Sequence, residues 1–351
     1  MQYDSGCLTD KYEQMFHVKH SDGLSAPHGG PSKAGRRTPV SFQSVESQMV
    51  ILFLGIVLGF IARKASVMND RFDGQFSKLV LNVTLPCLII SSVLMNDELP
   101  DASTVGLIFL LSCASYAIIL AIAFAVPFLL RFPKDKRGTY SFMIAFGNVG
   151  FIGFPVLSAI FGDQAILYAA IFNIPFNLLV FTVGVFMISE GEGTLRERLT
   201  DGAKHVVSPT LISCFVALAL ALLRITEPGI LGQSLDVMGQ MTTPAALLII
   251  GSTLAKMPIR EMISSFRPYI ASLFRLVFVP VAIFFVFRSF VTDPMLLGTI
   301  VITSGMPVAT NGTLLCLQYG GDLKTMTKGT FVSTIMSLIT IPLLAMMLVY
   351  L

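Results

Sequence analysis

Two stretches of an otherwise oily chain carry polar groups suited to chemistry. Residues 146–156 read FGNVGFIGFPV and residues 304–312 read SGMPVATNG. The first holds Asn148 with Gly150, Gly153 and Pro155; the second holds Pro307, Thr310, Asn311 and Gly312. Glycine costs a helix interior about 1 kcal/mol and proline about 3. A buried run carrying both is a helix that breaks. The break exposes backbone N–H and C=O groups, which lipid penalises by several kcal/mol each, so they must line a protein cavity. There the start of a half-helix offers partial positive charge, and Asn148 and Asn311 add amide donors without burying a full charge. The chemistry on offer is recognition of a small anion. Close helix packing through small residues would explain one such cluster; two at matching places favour a site.

Other reactive groups are sparse. His17, His20 and His28 lie in the N-terminal stretch and His205 in a loop, so histidine catalysis inside the membrane is excluded. The cysteines (Cys7, Cys87, Cys113, Cys214, Cys316) show no metal-ligand spacing. YGGD (319–322) lacks a residue of the GxGD aspartyl protease motif, and neither GxSG nor HExxH occurs. No catalytic residue, metal or cofactor is expected. Asp236 and Glu190 sit near segment ends, so no central carboxylate offers a proton relay. Either transport is uncoupled, or a coupling ion, Na+ or H+, is held by carbonyls, Asn and Thr. Arg275 lies inside a hydrophobic segment, either as a functional charge or with its head reaching the headgroups; a structural role is favoured.

The elements that must position these residues are hydrophobic segments of about 20 residues. The 351-residue chain is 54% hydrophobic and 13% charged, with mean hydropathy +0.77. That composition marks an all-helical, multi-pass membrane protein. Ten segments run near 47–65, 76–95, 103–130, 139–160, 164–189, 206–224, 233–255, 267–290, 294–318 and 325–350. Residues 1–45 are polar and read as a disordered tail or a mis-called gene start. The odd-numbered loops hold sixteen Lys and Arg, and the even ones only Arg224 and Arg288. By the positive-inside rule the odd loops are cytoplasmic and both termini lie outside. Lys33, Arg36 and Arg37 in the tail resist that orientation. The net charge of +3 is too small to suggest nucleic acid.

The two halves repeat. VTLPCLIISSVL (83–94) and MTTPAALLIIGSTL (241–254) each set threonine before proline, bringing Thr84 and Pro86 into correspondence with Thr243 and Pro244. FGD (161–163) and YGGD (319–322) each close a segment after a breaker cluster. The chain therefore divides into 46–190, a short loop at 191–205, and 206–351. Five segments per repeat put the second copy upside down, and interrupted helices at matching places point to a secondary transporter's site.

These stretches, with RLVFVP (275–280) and STIMSLITIPLL (333–344), resemble the auxin efflux carrier family, including its bacterial malate and malonate permease-like members, across about residues 47–351. The resemblance implies ten transmembrane helices in two inverted five-helix repeats, a fold similar to that of the bile-acid and sodium symporters. Helices four and nine are then broken and cross at mid-membrane. It also implies an elevator-type carrier in the cell (inner) membrane, moving a small organic anion, a mono- or dicarboxylate. The substrate would meet Asn148, Gly150, Gly153, Pro155, Pro307, Thr310, Asn311 and Gly312, flanked by Thr84, Pro86, Thr243, Pro244 and Arg275. The expected partners are that anion and the bilayer, and a homodimer is compatible with this reading. A bile-acid type sodium symporter for a larger anion is the second reading; a channel or an intramembrane enzyme is the remote one.

Overall fold

A computed structural model describes residues 42–96, 99–189, 208–226, 229–256 and 265–350. The tail up to residue 41, Glu190 and the 191–205 loop lie outside the described residues. Among the described residues all regular structure is helical: α1 (Phe42–Lys64), α2 (Asp70–Leu94), α3 (Ala102–Leu129), α4 (Arg137–Ala145), α5 (Val149–Phe161), α6 (Gln164–Ile188), α7 (Pro209–Leu222), α8 (Gly229–Lys256), α9 (Arg267–Phe287), α10 (Pro294–Ser304), α11 (Asn311–Tyr319) and α12 (Leu323–Tyr350). Six of them, α2, α3, α6, α8, α9 and α12, are long and apolar enough to cross a membrane. α1 begins at Phe42, so the polar stretch ends a few residues sooner than its composition suggests.

Short polar residues start the helices. Asn69 accepts from Phe72 N at 3.0 Å, Asp101 from Thr104 N at 3.0 Å, and Ser208 from Leu211 N at 3.1 Å before Pro209. Each satisfies a backbone donor that the first turn leaves unpaired. The FGD and YGGD motifs are matching helix ends. Gly162 (φ 79°) closes α5 and Gly320 (φ 85°) closes α11, both in conformations that L side chains rarely adopt. Asp163 then accepts from Ser158 Oγ at 2.7 Å, and Asp322 from Thr325 N at 3.0 Å as α12 begins. Asp322 thus caps α12, whereas Asp163 holds the N-cap position of α6 without a side-chain bond to its backbone.

The halves interleave. α1 of the first half packs against α8 of the second so closely that their backbones touch. A Cβ on Gly251 would lie 2.0 Å from Ile56 O, and one on Gly59 would lie 2.3 Å from Leu248 O. At the end of this contact the buried Asp73 takes Ser252 Oγ at 2.7 Å, Lys256 Nζ at 2.9 Å and Arg63 Nη1 at 3.3 Å, tying α1, α2 and α8 together. α2 also packs on α7; α3, α4, α9, α10, α11 and α12 pack largely among themselves, and α6 joins the two sets, packing on α3, α5 and α10 and also on α2 and α7.

Four apolar helices carry a π-turn: α2 at Val80–Thr84, α5 at Val149–Gly153, α6 at Val180–Gly184 and α9 at Phe274–Phe278. In α2 and α9 a proline follows at once, Pro86 and Pro280. Proline removes an N–H from the ladder and crowds the preceding turn, and the wider turn accommodates it. The freed backbone finds side chains: Leu81 O accepts from Thr210 Oγ1 at 3.0 Å.

Candidate substrate site at the helix breaks

The two breaker clusters meet. α4 ends at Ala145 and α5 begins at Val149; α10 ends at Ser304 and α11 begins at Asn311. Between them the chains run antiparallel for one bridge, Gly147 to Val308. Asn148 N donates to Pro307 O at 2.6 Å, and Ala309 N donates to Phe146 O at 3.0 Å. Backbone freed by one break thus satisfies backbone freed by the other.

Arg275 fastens this junction. It is 1% exposed, so it does not reach the headgroups. Its Nε donates to Met306 O at 2.9 Å, and its Nη1 to Ala145 O at 3.0 Å and Ile144 O at 3.2 Å. These are carbonyls at the ends of α4 and α10, the groups a helix terminus leaves without partners. The π-turn of α9 holds Arg275, and the fit explains Gly147, where a Cβ would lie 2.0 Å from Arg275 Nη2. No carboxylate among the described residues pairs with this guanidinium.

Beside the junction lies a cavity of about 140 Å³, roughly ten times the space that one water needs. Of the candidate residues, Asn148, Gly150, Thr310 and Asn311 line it. Asn148 Oδ1 accepts from Phe151 N at 3.1 Å and so caps α5, which leaves its Nδ2 as the available donor. Asn82, Asn173, Asn177, Ser208 and Thr210 complete the polar wall. They lie outside the two breaker clusters, although Pro175 sits between Asn173 and Asn177 inside α6. The signal in the sequence was Asn173 and Asn177, two amides one helical turn apart in an apolar helix. No carboxylate lines this cavity.

The remaining expected residues lie elsewhere. Gly153, Pro307 and Gly312 shape the breaks without lining the cavity, and a Cβ on Gly312 would strike Phe142 Cε1 at 2.6 Å. Pro155 faces an apolar cleft among α1, α5, α8 and α12. The threonine correspondence needs correction. Thr84 is met by Thr242, whose Oγ1 donates to Thr84 Oγ1 at 3.0 Å, and not by Thr243. The spacing Thr-x-Pro, not adjacency to proline, is what the repeat preserves. Pro86, Thr243 and Pro244 line none of the polar cavities.

A second cavity of about 530 Å³ shares Leu81, Asn148, Phe151, Thr310 and Asn311 with the first. It extends to Lys78 and Thr327, at the helix ends that bear the Lys- and Arg-rich loops. A third, of about 150 Å³, lies at the opposite helix ends beside Asp163 and Asp236.

Apolar helices of spanning length around an amide-lined cavity mark a multi-pass membrane protein with a polar internal cavity. The chain belongs to the membrane transport protein family, that of the auxin efflux carriers, whose profile matches residues 44–345. It is similar to the Rhizobium meliloti protein named "Putative malonate transporter", 24% identical over 84% of this chain and 92% of that one. It is also similar to an uncharacterized transporter of Methanothermobacter thermautotrophicus (25%; 87% and 98%) and to uncharacterized transporter YfdV of Escherichia coli K12 (23%; 82% and 92%).

Proposed function

We propose that this transporter is an elevator-type carrier for a small mono- or dicarboxylate, bound at the junction of the two broken helices. The observation that carries the reading is electrostatic. The cavity holds amides, hydroxyls and two half-helix starts, no carboxylate lines it, and the Arg275 guanidinium, with which no carboxylate among the described residues pairs, lies against Gly147 of its wall. Such a surface favours an anion. The relative named for malonate supports a short dicarboxylate. In this reading the ten helical passages form two inverted repeats across the cell membrane, with the Lys- and Arg-rich loops cytoplasmic. α1, α2, α7 and α8 are the fixed scaffold, and the broken helices travel with the rest.

Two broken helices suit alternating access better than a continuous pore, and no catalytic set accompanies them. Counterflow in proteoliposomes tests this. Saturable exchange of radiolabelled malonate or malate, with no conductance and no product, is the expected result; failure of all small carboxylates would overturn the substrate class. With no carboxylate lining the cavity, a coupled proton rides on the substrate. Proton-driven accumulation of a permanently ionised sulfonate analogue would contradict that.

A further inference from the structure

We propose that the larger cavity is an anion-collecting vestibule, a second station for the substrate, with Lys78 as its charge. The inference rests on the anion reading above and adds a site to it. The cavity lies between α2 and α8 on one side and α11 and α12 on the other, and it joins the junction at Asn148 and Asn311. Lys78 is its one ionisable lining residue. Of the cations nearby, Arg63 and Lys256 are ion-paired with Asp70 and Asp73, and Lys136 with Asp322. Lys78 has no ion pair among the described residues. Opposite it, α12 presents Thr327 and Thr330, and the Thr330 hydroxyl has no hydrogen-bond partner.

Lys78 precedes Leu81 and Asn82 by three and four residues, which is roughly 5 Å along the helix and on the same face. An anion drawn to Lys78 is therefore about one helical turn from the amide wall. A single charge at the mouth of an apolar-walled cavity concentrates its field inward. A lysine ammonium is compact and strongly hydrated, so it attracts without the two-point grip of arginine. That suits a station from which the anion must move on.

The test is equilibrium binding of radiolabelled malonate to the full chain in nanodiscs, where both faces are open, at low and high salt. Lys78→Gln is expected to weaken binding about 3- to 10-fold at low ionic strength, and the difference should vanish near 0.5 M salt, where charges are screened within a few ångströms. Lys78→Arg should match wild type and Lys78→Glu should be worse than Gln. In a background with Cys7, Cys87, Cys113, Cys214 and Cys316 replaced, Lys78→Cys should be rescued by a cationic methanethiosulfonate and further impaired by an anionic one. Unchanged affinity in Lys78→Gln, or a loss independent of salt, would overturn the vestibule while wild-type malonate binding keeps the carboxylate reading intact. A wild type that binds no carboxylate overturns both.

Discussion

Removing the Arg275 guanidinium should unfasten the junction of the broken helices. The three carbonyls it serves, on Ile144, Ala145 and Met306, lie in the membrane interior, where unsatisfied backbone groups are costly. A hydrogen bond from a charged donor contributes about 1.5–3 kcal/mol net. Three give roughly 4–9 kcal/mol, as much as the whole stability of many domains, which is about 5–15 kcal/mol. Arg275→Met, which keeps the volume and loses every donor, is therefore expected to yield no monodisperse protein. Arg275→Lys keeps the charge but concentrates its donors on one atom, so it should restore part of the set and melt well below wild type. Gly147→Ala approaches from the other side: its Cβ would lie 2.0 Å from Nη2 and displace the guanidinium. It should resemble Arg275→Lys. Size-exclusion profiles after graded heating measure all three. Arg275→Met that purifies as a sharp peak and melts with wild type would refute the reasoning.

Two further outcomes follow from groups outside the spans. Burial raises the Asp322 carboxyl, but the Lys136 ammonium and the Thr325 N–H and hydroxyl outweigh it, and the net effect holds the group below its usual value of 3.8. A depressed carboxyl stabilises the fold above the unfolded-state value and loses that contribution as pH falls through the folded one. Melting temperature should therefore fall as pH drops below about 4, and Asp322→Asn should flatten that fall; an unchanged acid limb would contradict it. For topology, Lys134→Cys and Arg288→Cys in a cysteine-free background should differ toward a membrane-impermeant maleimide in intact spheroplasts. Labelling at 288 alone is expected, and labelling at 134 alone would reverse the orientation.

Much of this arrangement is legible in the sequence where a residue type is costly in its context. Glycine, proline and asparagine in an apolar run mark Asn148 and Asn311, and the same logic marks the Gly162 and Gly320 caps. What periodicity hides is which turn faces which. Thr242 and Thr243 are neighbours in sequence, yet only Thr242 reaches Thr84, because a one-residue step rotates a side chain about 100° around the helix. Asn82, Asn173 and Asn177 border the cavity through helices that continue past the nearby Pro86 and Pro175, so those prolines mark no break. An intramembrane arginine is a functional candidate in any sequence. That Arg275 binds carbonyls of two other helices depends on a π-turn and on Gly147, which no local pattern reveals.

The central claim is that the anion is held at the junction by Asn148 and Asn311. Asn148 also caps α5 through Oδ1, so Asn148→Ala removes both a ligand donor and a cap worth about 1 kcal/mol. Asn148→Asp separates the two roles, because aspartate caps equally well and repels an anion. Malonate affinity should fall about 10- to 100-fold in Asn148→Ala and in Asn311→Ala, the loss of one donor to a desolvated charge. It should fall further in Asn148→Asp, which keeps the cap, and Ser158→Ala, beyond the break, should bind as wild type. Wild-type affinity in Asn148→Asp would show that the crossing only packs helices and that the anion binds elsewhere.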